Sequence, residues 1–187
     1  MYQNLILDQR KPWIIALCLI LGLGTLFVLC PIQFNTAEGI PITLQSLLIV
    51  LIPLLLGWKL GVIVVLLYLL AGGMGLPVFA YGTSGWERFT GSTGGFLLAF
   101  PLAALLVGWA AEHIQKQRAL MGTLGILAGQ LLILALGLLW QRSIVPIAEP
   151  VWDTLARLGP GLLMKTAFGG LVVVTLSRIV QRNTTKN

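Results

Sequence analysis

Lys165 is the residue of this sequence that most needs a chemical explanation. It stands in the run Gly159-Pro160-Gly161-Leu162-Leu163-Met164-Lys165, the one charge between residues 158 and 177. An ammonium group among apolar residues is costly and requires an acceptor, yet no acid lies within one helical turn of it. The counter-charge could be a distant Glu38, Glu87 or Asp153, the side chain could snorkel outward, or the acceptor could be a bound substrate. Pro160 suits the first position of a helix. That would put Lys165 about one and a half turns in, near free backbone donors that favour an anion or a carbonyl.

Two other segments carry polar or aromatic groups in apolar surroundings. Thr43 and Gln45 bring hydrogen-bonding side chains to the start of an apolar run, as site groups or as helix caps. Between Gly72 and Gly95 lie eight of the 22 glycines, a density that no long straight helix tolerates. Phe79, Tyr81 and Trp86 give this segment aromatic surface, and Gly94 and Gly95 would let backbone approach a ligand closely. Irregular backbone at membrane depth is tolerated only inside protein or along a cavity, and such interrupted spans mark transporter binding sites. The plain alternative is an external linker, against which the apolar character of Pro77 to Tyr81 and of Trp86 argues.

Catalytic chemistry is missing. The single His113 sits among Glu112, Lys116 and Arg118, where a solvated role is expected, and no His/Cys set has metal-ligand spacing. Gly159 to Thr166 imitates a P-loop only until Met164, which stands where that motif needs glycine. Cys18 and Cys30 are 12 residues apart on one helix, about 18 Å, too far to bridge. No enzyme, no metal and no cofactor are expected.

The elements that must position these groups are set by composition. Of 187 residues, 57% are hydrophobic and 10% charged, with a mean hydropathy of +0.94. That excludes a soluble enzyme, a nucleic-acid-binding domain and a disordered regulator. A helix needs about 20 apolar residues to cross the hydrocarbon core, and the charges divide the chain into six such stretches. The expected architecture is an all-α membrane protein, one membrane-embedded domain over residues 1–187. Its spans fall near 13–30, 43–57, 60–73, 93–111, 119–140 and 160–178, with a ligand cavity near the outer face. Six crossings gather eight Lys/Arg on the side of the termini and three on the other, which places both termini in the cytoplasm. The net charge of +6 is therefore topological rather than a nucleic-acid signal.

Three runs of residues carry a resemblance. Pro41-Ile42-Thr43-Leu44-Gln45-Ser46, the stretch from Leu67 to Ala80 containing Ala71-Gly72-Gly73-Met74-Gly75-Leu76-Pro77-Val78-Phe79, and Gly91-Ser92-Thr93-Gly94-Gly95-Phe96 resemble the BioY family. These are biotin-specific substrate-capture (S) components of energy-coupling factor transporters. The resemblance implies a multi-pass protein of the cytoplasmic membrane that binds biotin in an outward-facing cavity. It also implies a transmembrane coupling subunit and two cytosolic ATPase subunits as partners. Thr43, Gln45, Phe79, Tyr81, Trp86, Gly94, Gly95 and Lys165 are the expected ligand residues. Small residues at four-residue spacing on the first helix would dock the coupling subunit, here Cys18 and Gly22 with Ala16 nearby. One departure stands out: the family pattern is Pro-Gly-Asp-x-x-Lys, and here Leu162 takes the aspartate's place. A capture subunit for another small vitamin, or a membrane protein with no transport role, are the alternative readings.

Overall fold

The computed structural model describes residues 11–35, 41–113, 118–144 and 150–184. Helix α1 (Pro12–Leu29) leads into a short antiparallel ribbon, β1 (Gln33–Asn35) with β2 (Pro41–Thr43), in which Gln33 lies opposite Thr43. Then come α2 (Gln45–Leu56), α3 (Trp58–Gly73), a 3₁₀ turn (Ala80–Gly82) and the four-residue α4 (Glu87–Thr90). The long helices α5 (Gly94–His113), α6 (Arg118–Ile144) and α7 (Val151–Thr184) complete the chain. The protein is overwhelmingly helical, and the ribbon is a small departure from an all-α reading. Among the described residues four helices are long and apolar enough to cross a membrane: α1, α5, and stretches of α6 (Leu120–Ile144) and α7 (Trp152–Arg178). Two shorter apolar helices, α2 and α3, accompany them.

Of the two short helices, α2 lies inside the bundle, whereas α3 buries one face and exposes Ile63, Leu66 and Leu70 on the other. Nine of the 12 residues of α2 are buried, among them Leu47, Ile49 and Val50. A helix apolar all round is satisfied only by such enclosure or by lipid. Pro53 removes one hydrogen bond within α2, and Gly57 ends the helix with φ +84°, its N–H bonded to the Pro53 carbonyl at 2.8 Å. The chain turns at once into α3, whose first N–H, from Trp58, is taken by Glu112 Oε1 at 3.0 Å. That acid at the end of α5 satisfies a helix start that has no side-chain cap of its own.

One expectation about helices needs correction. Pro160 does not open the last helix, because α7 begins nine residues earlier, at Val151, directly after Pro150. Lys165 is therefore about four turns in, and the free donors of the α7 terminus are not beside it. A proline inside a membrane-length helix costs one hydrogen bond and a local bend, which neighbouring helices can absorb. On α1, Cys18 and Gly22 face inward: Cys18 is buried with Ile14 and Leu60, and a Cβ at Gly22 would touch Val64. Ala16 lies on the exposed side of the helix. Four-residue spacing sets a common face but not which way that face points.

Candidate functional site

Because α2 is only 12 residues long, the bundle is left unfilled beyond its N-terminus. There a cavity of about 400 Å³ opens, within the usual range for a small-molecule site. Its walls come from five places: the entry to α2, the segment between α3 and α5, the first two turns of α5, the middle of α6 and the first half of α7.

The α2 entry supplies Thr43, Gln45 and Ser46. Leu44, the capping residue, provides no side-chain bond, and neither Thr43 nor Gln45 acts as a cap. Gln45 is buried and held by a relay. Its Nε2 donates to the Tyr68 hydroxyl at 2.8 Å, and that hydroxyl donates to the Val78 carbonyl at 2.9 Å. With one amide N–H given to Tyr68, the Gln45 carbonyl oxygen and the second N–H are the groups left for a ligand. The N-terminus of α2 opens onto the same space, bringing the positive end of a helix dipole to the cavity. The sequence reasoning had assigned that property to the last helix.

Phe79, Tyr81, Thr83 and Arg88 come from the glycine-rich segment. Phe79 is buried and packs edge-on against Tyr68 (5.6 Å) and Phe89 (5.9 Å). A Cβ at Gly72 would run into its ring, so this glycine is what lets the segment fold back onto α3. Tyr81 is the one non-glycine with positive φ among the described residues, at +63°. A tyrosine held in the left-handed region at a cavity wall is the kind of strained position found at ligand sites. Tyr81 and Arg88 are exposed and form the mouth.

Lys165 donates to Ser46 Oγ at 3.1 Å, tying α7 to α2. No carboxylate among the described residues pairs with it, Glu87 and Asp153 included. Glu38 lies outside the described residues. The next residue, Thr166, is bonded to Gln130 on α6 at 3.2 Å, so consecutive residues of α7 reach two different neighbours. Leu158 and Leu162 make the α7 wall apolar where the family pattern has an acid.

The structure thus brings Thr43, Gln45, Phe79, Tyr81 and Lys165 to one cavity. It places Trp86, Gly94 and Gly95 elsewhere. Trp86 stacks on Phe89 at 5.2 Å and lies over Gly73, clamping the segment rather than lining the space. A Cβ at Gly95 would meet Trp140 and the Leu136 carbonyl, and one at Gly94 would meet the Phe89 carbonyl and Trp140. These glycines permit close packing on α6, which Trp140 Nε1 completes with a 3.0 Å bond to the Gly91 carbonyl. Five polar or charged lining residues, Ser46, Thr83, Arg88, Thr93 and Gln130, are not among those the sequence singles out as ligand residues. Gln130 carried a visible signal, an amide in the middle of the apolar run 119–141.

Membrane-length apolar helices around a ligand-sized cavity are the architecture of a solute-binding membrane protein. The BioY family profile matches residues 6–183, and this chain belongs to the BioY family. A biotin transporter BioY2 of Lactococcus lactis subsp. cremoris is 35% identical over 139 residues, 74% of each chain. A biotin transporter BioY of Rhodobacter capsulatus is 36% identical over 152 residues, covering 75% of this chain and 80% of that one. Among solved structures, the S-component for biotin from an ECF-type ABC transporter superposes with a TM-score of 0.75. It covers 92% of this chain and 95% of its own at 24% identity, a likeness of fold.

Proposed function

We propose that the chain binds biotin with high affinity and takes it up across the cytoplasmic membrane, as the S component of an ECF-type transporter. The observation that carries this reading is the charge pattern of the cavity. Its walls are mainly apolar, and among the described residues Lys165 and Arg88 are the charged ones that line it, with no carboxylate beside them. Biotin has an apolar bicyclic body, a ureido group and one carboxylate, and so asks for apolar walls, a few hydrogen bonds and a cation. The buried end of the cavity suits the ureido group. Its carbonyl can accept from Lys165, which has two N–H bonds beyond the one given to Ser46. The exposed Arg88 suits the carboxylate, since a guanidinium grips it with two parallel bonds and leaves it partly hydrated.

The reading includes six crossings with both termini in the cytoplasm, residues 1–187 forming one membrane-embedded unit. The four long and two short apolar helices and the eight-to-three division of Lys and Arg support it. With no nucleotide-binding motif in the sequence, energy would come from a transmembrane coupling subunit and two cytosolic ATPases. The description of the solved neighbour as part of an ECF-type ABC transporter supports that assembly. Titration of the detergent-purified protein with biotin, with thiamine and riboflavin as competitors, tests the function. Saturable biotin binding that neither competitor affects is expected. Competition by either in place of biotin would assign another vitamin, and no thermal shift with any of them would remove the reading.

A further inference from the structure

One polar atom in the cavity wall has no partner. Gln130 lines the cavity, is 2% exposed, and its Oε1 is a buried acceptor with no hydrogen bond. The orientation of its amide follows from the bonds around it. Thr166 Oγ1 gives its only proton to the Leu162 carbonyl at 2.8 Å, so toward Gln130 it can only accept. Gln130 must present Nε2 to it, as the 3.2 Å bond records. A flipped amide would set two acceptors against each other. The oxygen is thereby fixed as the unsatisfied end, and a buried acceptor without a donor is costly enough to demand an explanation.

No donor beside it reaches that oxygen. Ile133, Leu134, Leu158 and Leu162, which line the cavity on α6 and α7, are aliphatic, and Lys165, the remaining α7 lining residue, gives its hydrogen bond to Ser46. A ligand N–H is the group this wall lacks. We infer that Gln130 is a ligand-contacting residue whose Oε1 accepts a hydrogen bond from a ureido N–H of the bound vitamin. The terminal amide torsion of glutamine is broad, so a modest rotation brings the oxygen to a ligand without breaking its hold on Thr166. On this arrangement Lys165 donates to the ureido oxygen while Gln130 accepts from a ureido nitrogen. The two residues recognise opposite polarities of one group. The acceptor comes from α6, because Leu162 on α7 offers none. The inference rests on the proposed function, and the experiment separates the two.

Biotin and its two derivatives methylated at either ureido nitrogen are titrated into the wild type and into Gln130→Met, a substitution that keeps the side chain's length. The wild type should bind biotin, and methylation of one nitrogen should weaken it about ten-fold, the worth of one desolvated hydrogen bond. Gln130→Met should weaken biotin by a similar factor and lose nothing further on that methylation, because the same bond is already gone. Equal biotin affinity in wild type and variant overturns the inference. So does a loss that adds in full to both methylations, accompanied by a lower melting temperature of the ligand-free protein, which marks a structural amide. If Gln130→Met does not fold, equal wild-type affinity for all three ligands overturns it, and selective loss at one nitrogen supports it. A wild type that binds no biotin removes the proposed function, and this inference with it.

Discussion

Tyr68→Phe removes one oxygen and tests whether the relay behind Gln45 holds the site in shape. The hydroxyl is fully buried, accepts from Gln45 Nε2 at 2.8 Å and donates to the Val78 carbonyl at 2.9 Å. It ties the α2 entry, α3 and the start of the glycine-rich segment together. The phenyl ring that remains keeps its packing on Phe27 (6.4 Å) and Phe79 (5.6 Å), so the substitution leaves no large void. What it leaves is a buried amide N–H and a buried carbonyl without partners. In soluble proteins each such orphan costs about 1–3 kcal/mol. Hydrogen bonds between membrane helices average about 0.6 kcal/mol, because the unfolded chain also finds partners there. The two limits bracket a total loss of roughly 1–6 kcal/mol.

For a chain of this length each kcal/mol shifts the midpoint by about 2–4 °C. Thermal unfolding in detergent should therefore show a drop on the order of 2–24 °C. Biotin affinity should fall by about three- to ten-fold, since Gln45 is then free to rotate its amide out of register. Calorimetric titration of wild type and variant in the same detergent reads that second quantity. A variant with unchanged midpoint and unchanged affinity would refute the reasoning. Gln45 would then be held by the apolar packing around it.

Three further substitutions follow from the same geometry. Lys165→Met should weaken biotin by about ten- to a hundred-fold, the worth of a hydrogen bond from a charged donor, and equilibrium titration that finds no change would remove Lys165 from the site. Arg88→Gln should lower affinity by a few-fold at low salt and less at high salt, because an exposed pair is screened; an effect independent of ionic strength would contradict a carboxylate contact at the mouth. Gly95→Val should lower the melting temperature of the ligand-free protein, since the new side chain meets Trp140 and Leu136 on α6; a normal melting temperature with selective loss of biotin binding would return Gly95 to the ligand site.

What the sequence made legible was whatever depends on where charge and apolar length fall. Most stretches between charges overlap a helix, because burying a charge in hydrocarbon is costly, but α7 runs back past Arg157 and Asp153 to Val151. Gln45 and Lys165 stood out for the same reason, as polar groups in apolar runs. What stayed illegible depends on which neighbour a residue meets. Cys18 and Gly22 share a face of α1, but only packing shows that the face meets α3. Gly94 and Gly95 permit close approach, but the partner that approaches is Trp140 rather than a ligand. Pro160 carries a strong local preference for a helix start, and tertiary packing of a long α7 overrides it. The ribbon of β1 and β2 is too short to have a period at all. Gln130 was readable by the criterion that found Lys165, an amide being the milder version of the same anomaly.

The two cations of the cavity divide their work, and the division can be measured. Lys165 is half-buried, bonded to a neutral hydroxyl and placed near the N-terminus of α2, where the helix dipole adds positive potential. A full carboxylate drawn there would be stabilised by both, yet it would have to shed most of its water, and the gain is offset by that loss. A ureido carbonyl is neutral and strongly polarised, and loses far less water on entering. At the mouth the balance reverses: Arg88 meets a carboxylate that keeps part of its hydration. Comparing biotin with biotin amide separates the two roles. Lys165→Met should weaken both ligands by the same factor, because both carry the ureido group. Arg88→Gln should weaken biotin and leave the amide unchanged. If the pattern is exchanged, with Lys165→Met indifferent to the amide, then the carboxylate lies deep and the ligand is bound the other way round.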